Sequence, residues 1–248
     1  QMLCTLGAQS TLLGADGTTL KNPLVNSLMP NAKELPDFKN KNTFNIETGL
    51  SLKPDIVLLT AANKKLIDDV ESHGMKVFAV NAESLDQLKT TMTNLGILVN
   101  KEKEAAAFND YYTQKIDFVK DKLKNVDASK KQKVYIAGSD MYSTAGSDMF
   151  QNYLINLCGG INVSSSLSGG WVKVSPEQII KWNPDVIILT QYSGVKVEDV
   201  LNNASLKSIN AVKNKKVYLI PCKISAWDMP CPQTVLGIEW LSQKLNPE

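Results

Sequence analysis

A sixteen-residue pattern occurs twice in this chain, 130 positions apart: Asn45 to Thr60 overlays Ser175 to Thr190. Glu47/Glu177, Pro54/Pro184, Asp55/Asp185, Leu59/Leu189 and Thr60/Thr190 are identical, and the intervening aliphatic positions agree in kind. Each copy opens on a side chain suited to cap a helix, Asn45 or Ser175. Pro176 stands where proline is favoured, at the first helical position. Pro54 and Pro184 then end the short helices, because a residue preceding proline avoids the α region. The Ile/Val/Leu runs that follow are apolar on both faces, as in strands of a parallel sheet covered by helices. A chain that writes this unit twice is constrained to two similar α/β lobes.

The surrounding segments extend the pattern. A helix at about 62–73 and a strand over Lys76–Val80 follow the first copy. A helix at about 196–212 and a strand over Lys216–Ile220 follow the second. Val134–Ala137 opens the second unit, and Ser84-x-x-Gln87 is a capping box that starts a helix reaching about Leu95. Between the units, Phe108, Tyr112, Ile116, Val119 and Leu123 recur at helical spacing. They mark one apolar stripe on a helix of about 24 residues, roughly 36 Å long. The expected organisation is an N-terminal lobe over 1–100, a connecting helix over 101–125 and a C-terminal lobe over 126–248. In fold class this is α/β: two Rossmann-like lobes with mostly parallel central sheets, joined by one long α-helix, with a ligand cleft between them. Gln1 to Gly7 reads as the middle of an amphipathic helix, so the first strand of the N-terminal lobe is expected to be missing.

Composition removes several function classes. The 27 basic residues are all lysine, and with 25 acidic residues they leave a net charge of +2. That balance makes no electrostatic case for nucleic acid. Without arginine, no planar bidentate clamp on phosphate or carboxylate is available. The single histidine, His73, excludes a zinc site of several imidazoles. Its place before Gly74 suits a helix C-terminus, where the dipole favours a cation. None of the four cysteines forms a C-x-x-C pair. Cys4 and Cys158 read as small buried apolar groups. Cys222 and Cys231 flank a loop, and only geometry can decide whether they pair. No apolar run approaches the roughly 20 residues of a membrane span, and no signal peptide is evident. Trp182 and Trp240 lie in helical patterns and read as packing residues. No acid/base pair or phosphate loop is marked by spacing, so an enzyme is not expected.

An ordered set of segments resembles a known family. It comprises Leu50 to Leu58, His73-Gly74-Met75-Lys76-Val77-Phe78, Leu157-Cys158-Gly159-Gly160-Ile161-Asn162, Val174 through Leu189, Ala226-Trp227-Asp228-Met229-Pro230 and Leu236 to Leu241. The family is the helical-backbone (class III) group of substrate-binding proteins of ABC importers. The resemblance implies an extracytoplasmic protein, in the periplasm or on the cell surface as a lipoprotein. It would act as a monomer and pass one small ligand to an importer permease, with no resident cofactor or metal. It implies that Glu47 and Glu177, one per lobe, dock on basic residues of the permease. Their alternative role is local, since a carboxylate in the first helical turn gains about 0.3–1 kcal/mol from the dipole. The implied ligand is a metal chelate, first an iron complex such as a siderophore or haem, with molybdate, tungstate or cobalamin as alternatives. An enzyme or sensor domain on the same scaffold is the non-transport alternative.

Open α/β sheets bind ligands at the carboxyl ends of their strands. The residues expected there as ligand contacts are Asp16, Thr60, Asn63, Tyr142, Trp171, Tyr192, Lys223 and Trp227. Ser139, Asp140, Gly169, Gly170 and Gln191 accompany them. Tyr142 could ligate ferric iron as phenolate or stack on a ring system, or be a surface loop tyrosine; in the resembled family a tryptophan placed like Trp171 is often a ligand platform, its alternative role being a loop anchor against the core. The set suits a bulky chelate or a caged oxyanion better than a bare cation.

Overall fold

The computed structural model describes residues 1–40, 43–191, 193–221 and 226–246. They form two compact units. The first holds residues 1–111 and a short return, Pro230–Pro232. The second holds 112–221, Ala226–Met229 and 233–246. The division falls inside a single helix, Glu102–Leu123.

In the first unit, strands β1 (Lys39–Asn40) and β2 (Thr43–Phe44) pair antiparallel. Strands β3 (Val57–Thr60) and β4 (Val77–Val80) pair parallel, from Val57↔Val77 to Thr60↔Val80. The helix Ile46–Leu52 starts where the Asn45 carboxamide accepts the Thr48 N–H at 3.0 Å. It ends at Lys53, whose φ of 46° is left-handed, immediately before Pro54. That turn brings the chain into β3. Phe44, Val57, Val70 and Met75 form the core between strands and helices, with Phe38, Ile46 and Leu66 packed on it. The helix Leu85–Leu98 starts at Ser84, whose hydroxyl accepts the Gln87 N–H. The returning bond of the capping box reaches one residue further back than expected, from the Glu83 N–H to the Gln87 side-chain oxygen at 2.9 Å.

Of the stripe expected on the long helix, Tyr112, Ile116 and Val119 are buried, while Phe108 and Leu123 are half-buried. Glu102 and Glu104 occupy its first turn, and Lys120 and Lys122 its last, complementing the dipole at both ends.

The second unit holds a six-stranded sheet. Its strands are β5 (Lys133–Ala137), β6 (Ser143–Ala145), β7 (Ile161–Asn162), β8 (Trp171–Lys173), β9 (Val186–Leu189) and β10 (Val217–Leu219). The order is β10-β9-β5-β6-β8, with β7 also paired to β5. The β10-β9-β5 core and the β5–β7 pair are parallel, and the β6 and β8 pairings are antiparallel. Tyr135, Ile187, Leu189, Ile179, Leu206 and Val217 lie in one buried cluster beneath the sheet.

The second copy of the repeat builds the same local device as the first. The Ser175 hydroxyl accepts the Gln178 N–H, Pro176–Trp182 is helical, and Asn183 closes the helix with φ 47° before Pro184. The register matches too: β9 meets β10 at Ile187↔Val217, as β3 meets β4 at Val57↔Val77.

The connection in the second unit differs from expectation. In place of one helix over 196–212 there are three short pieces, Val197–Leu201, the 3-10 turn Ala204–Leu206 and Asn210–Lys213. Asparagine side chains compete with the helix for backbone donors here. The Asn203 carboxamide takes the Ser205 N–H at 3.0 Å, and that of Asn183 takes the Asn210 N–H at 2.8 Å. Among the described residues no helix is long and apolar enough to cross a membrane.

Candidate functional site

The carboxyl ends of β5 and β9 are tied together. The Thr190 N–H donates to the Ala137 carbonyl at 3.1 Å, and the Thr190 hydroxyl donates to the Gly138 carbonyl at 3.0 Å. Over this junction lies Trp171. A Cβ at Gly138 would come within 2.6 Å of the indole Cζ3 atom, so glycine there lets the ring rest on the backbone. Trp171 as a residue nevertheless remains 36% exposed.

Beside it, Lys173 of β8 forms an ion pair with Asp140. Asp140 also accepts the Tyr142 N–H at 2.9 Å. The Lys173 ammonium, and then the Tyr142 amide, hold the Asp140 carboxyl below the usual carboxylate range. Tyr142 is half-buried and packs against the core cluster, and its carbonyl accepts the Val174 N–H at 2.9 Å. The loop before Trp171 is held from one side by Asp148, whose carboxylate takes the Gly169 N–H at 3.2 Å and the Gly170 N–H at 3.1 Å. Both glycines have positive φ, 102° and 79°, which other residues adopt only with strain.

Trp227 lies elsewhere in the same unit, in a turn at the start of the C-terminal segment. It is half-buried, and its indole N–H is enclosed without a hydrogen-bond partner among the described residues. Its backbone rests on Gly237 of the helix Thr234–Leu245, where a Cβ would come within 3.1 Å of the Trp227 carbonyl carbon.

In the first unit, the Asp16 carboxylate caps the short helix Gly17–Leu20. It accepts the Thr18 and Thr19 N–H groups at 3.0 and 3.2 Å and the Thr19 hydroxyl at 2.6 Å. Thr60 is exposed at the carboxyl end of β3, and its carbonyl accepts the Asn63 N–H at 3.1 Å. Asn63, also exposed, caps the helix Lys64–Ser72 through the Leu66 N–H. Glu47 and Glu177 are exposed in the first turns of the two repeated helices. The Ser175 hydroxyl holds the Glu177 carboxyl below its ordinary range. Tyr192, Lys223 and Cys222 lie outside the described residues, and with them the Cys222–Cys231 pairing. His73 closes its helix, with Nδ1 2.8 Å from the Asp69 carbonyl oxygen. Trp182 packs on the core beside Tyr135, and Trp240 meets the Tyr218 ring edge-on at 6.4 Å.

Of the expected ligand contacts in the second unit, the structure seats Trp171 over the end of β5 and packs Tyr142, three positions along the β6–β8 ladder, against the core cluster. Thr60 and Asn63 gather at one strand end in the first. Sequence reasoning missed Lys173, Asp148 and Asp228. Lys173 and Asp140 are 33 residues apart, and no local period relates them. For Asp148 a signal existed, since the Gly169-Gly170 pair announces positive φ and a need for an external acceptor. Among the described residues, no group of three or more His, Cys, Asp or Glu is placed to hold a metal ion.

A two-unit α/β chain with this repeated helix-strand device and parallel strand ends has the architecture of a solute-binding protein. Residues 1–223 match the family described as periplasmic binding protein, and the chain belongs to that family. The resemblance drawn from the sequence segments therefore holds at family level. Among its relatives is the molybdate-binding protein MolA of Haemophilus influenzae, 28% identical over an alignment covering 100% of this chain and 74% of that protein. The vitamin B12-binding protein of Salmonella paratyphi A is 23% identical, over 88% of this chain and 79% of its own length. A periplasmic solute binding protein from Veillonella parvula superposes with a TM-score of 0.87 at 25% identity, covering 99% of this chain and 77% of that one.

Proposed function

We propose that this protein is an extracytoplasmic solute-binding protein that delivers a metal chelate to an ABC importer, the first candidate being an iron complex of siderophore or haem type. The observation that carries this reading is Trp171, a large indole left exposed over the joined ends of β5 and β9. An exposed aromatic face beside neutral hydrogen-bonding groups suits a bulky ligand with an apolar or π-rich periphery. The Lys173–Asp140 pair beside it gives local charge without a net field. The proposed contacts remain Thr60, Asn63, Tyr142, Trp171 and Trp227, together with Asp16, Tyr192 and Lys223. A second reading, molybdate, is favoured by the relative whose alignment covers the whole chain, and the cobalamin-binding relative keeps that chelate among the probes.

The test is a thermal-shift screen with ferric hydroxamates, ferric catecholates, haem, cobalamin and molybdate. A specific ligand at 100 times its Kd adds about 2.7 kcal/mol to folding stability. A shift from one iron complex that is lost in Trp171→Ala supports the first reading. A shift from molybdate alone replaces it with the second, and no shift from any probe overturns both. We propose further that Glu47 and Glu177 dock on the permease. Reversing both charges (Glu47→Lys, Glu177→Lys) should abolish stimulation of the importer's ATPase while ligand affinity stays unchanged, and undiminished stimulation removes the assignment.

A further inference from the structure

The turn that carries Trp227 contains the most enclosed carboxyl group of the second unit. Asp228 is 0% exposed, and Gln151, which meets it from the helix Phe150–Leu157, is 4% exposed. The Gln151 amide nitrogen donates to the Asp228 main-chain carbonyl at 3.1 Å and to Asp228 Oδ2 at 3.4 Å. Among the described residues, two enclosed atoms of the same two side chains have no partner, Asp228 Oδ1 and Gln151 Oε1. If Asp228 is ionised, both are acceptors, and neither can satisfy the other.

Among the described residues, charge does not rescue an ionised Asp228. The helix Phe150–Leu157 carries no acidic or basic side chain; its one titratable group is the exposed Tyr153. On the helix Thr234–Leu245, Glu239 is paired with Lys115, and Lys244 sits over the Tyr218 ring. Asp148, just ahead of the Gln151 helix, is exposed and occupied by the Gly169 and Gly170 amides. Within the turn, Trp227 and Met229 are uncharged. An enclosed carboxylate facing these groups would be an unpaired buried ion, which proteins avoid by protonation. Burial indeed raises the Asp228 carboxyl above its ordinary range, with only partial relief from Gln151.

We infer that Asp228 is carried as the neutral carboxylic acid and closes a reciprocal pair with the Gln151 carboxamide, which fixes the Ala226–Met229 turn as a proton-dependent latch. One proton on Oδ1 turns an orphaned acceptor into a donor, the complement that the other orphaned acceptor, Gln151 Oε1, lacks. The pair ties the turn to the helix Phe150–Leu157. The Thr234 hydroxyl, bonded to the Met229 carbonyl, ties the turn's other end to the C-terminal helix. The sign of the pH effect follows. The folded state holds this proton to higher pH than the unfolded chain does. Its stabilisation is complete below the ordinary carboxylate range and is lost as pH rises through the elevated folded value. Because Trp227 belongs to the proposed ligand contacts, opening the latch would also weaken solute binding; that consequence alone rests on the functional reading above.

The test uses the full chain. Urea unfolding midpoints are measured from pH 5 to pH 8 for wild type, Asp228→Asn and Asp228→Ala. An asparagine amide donates to Gln151 Oε1 at every pH. Asp228→Asn should therefore match or exceed wild type at pH 8 and flatten the pH dependence, while Asp228→Ala should fall below both. An Asp228→Asn midpoint as low as that of Asp228→Ala at pH 8 would overturn the proposal, because it would mean that an ionised carboxylate with a bound water or cation holds the turn. If neither variant folds, wild-type protein labelled with carbon-13 at aspartate carboxyls decides the matter. One carboxyl resonance should titrate above the ordinary carboxylate range, and a full set titrating within that range sinks the latch. Neither readout requires a ligand.

Discussion

The two copies of the repeated unit share their local chemistry and differ in almost everything the rest of the chain supplies. Both helices are capped by a polar side chain, closed by a left-handed residue and cut by proline. Both feed a parallel strand pair in the same register. Yet β9 is buried at all four positions and β3 at only one. The runs Val57-Leu58-Leu59-Thr60 and Val186-Ile187-Ile188-Leu189 are comparably apolar. What separates them is that β9 lies between β5 and β10 in a six-stranded sheet, whereas β3 pairs with β4 alone among the described residues. Apolar sequence proposes a core strand, and neighbours from elsewhere in the chain decide how much water it loses.

The largest expected contrast lies at the strand centres. Ile188→Ala removes a side chain that is 1% exposed and should cost about 2–5 kcal/mol in urea unfolding. Its counterpart Leu58→Ala, in a half-buried strand, should cost well under half as much. Equal losses would mean that the two strands are equally enclosed in solution. Next comes the helix position where the copies disagree most, Gly49 against Ile179. A Cβ at Gly49 would come within 2.6 Å of the Phe44 ring. Gly49→Ala should thus destabilise by about 1–2 kcal/mol, overpacking winning against the helix propensity of alanine. A stabilised variant in the same unfolding assay would show that the Phe44 ring yields freely.

The caps should behave alike. Asn45→Ala and Ser175→Ala should each lose about 1 kcal/mol, read from thermal midpoints, and a twofold disparity would break the equivalence of the two starts. The smallest effect carries a change of sign. Lys53→Gly relieves a left-handed backbone and should stabilise by about 0.5 kcal/mol. Asn183→Gly relieves less strain, because asparagine tolerates the left-handed region, and strips the Asn210 N–H of its 2.8 Å acceptor, so it should be neutral or destabilising. Differential scanning calorimetry of the two variants distinguishes the outcomes.

The legible parts of this protein were those governed by a few adjacent residues. Asn45, Ser175, Pro54 and Pro184 announced where helices begin and end, and the stripe from Phe108 to Leu123 announced the long helix. The helix expected over 196–212 failed because Asn203 captures the Ser205 N–H and Asn183, 27 positions before Asn210, captures the Asn210 N–H. Trp171 was legible as a candidate, but its seat on Gly138 was not, because the two residues meet only when β8, β6 and β5 pair. Asp228 was visible as a letter in a turn. Nothing nearby in the chain signals that Gln151, 77 positions earlier, would enclose it.

What the amino-acid order determined by itself was the grammar of the duplicated unit: capped helix, proline stop, apolar strand, and hence the α/β class. Those rules act over one or two helical turns, through backbone hydrogen bonds and proline sterics, and need no partner from afar. Only the tertiary structure decided which copy became a fully buried strand, which indole stayed open to solvent and which carboxyl lost its water. These depend on desolvation by residues distant in sequence, and burial is a property of the surroundings of a side chain, not of its identity.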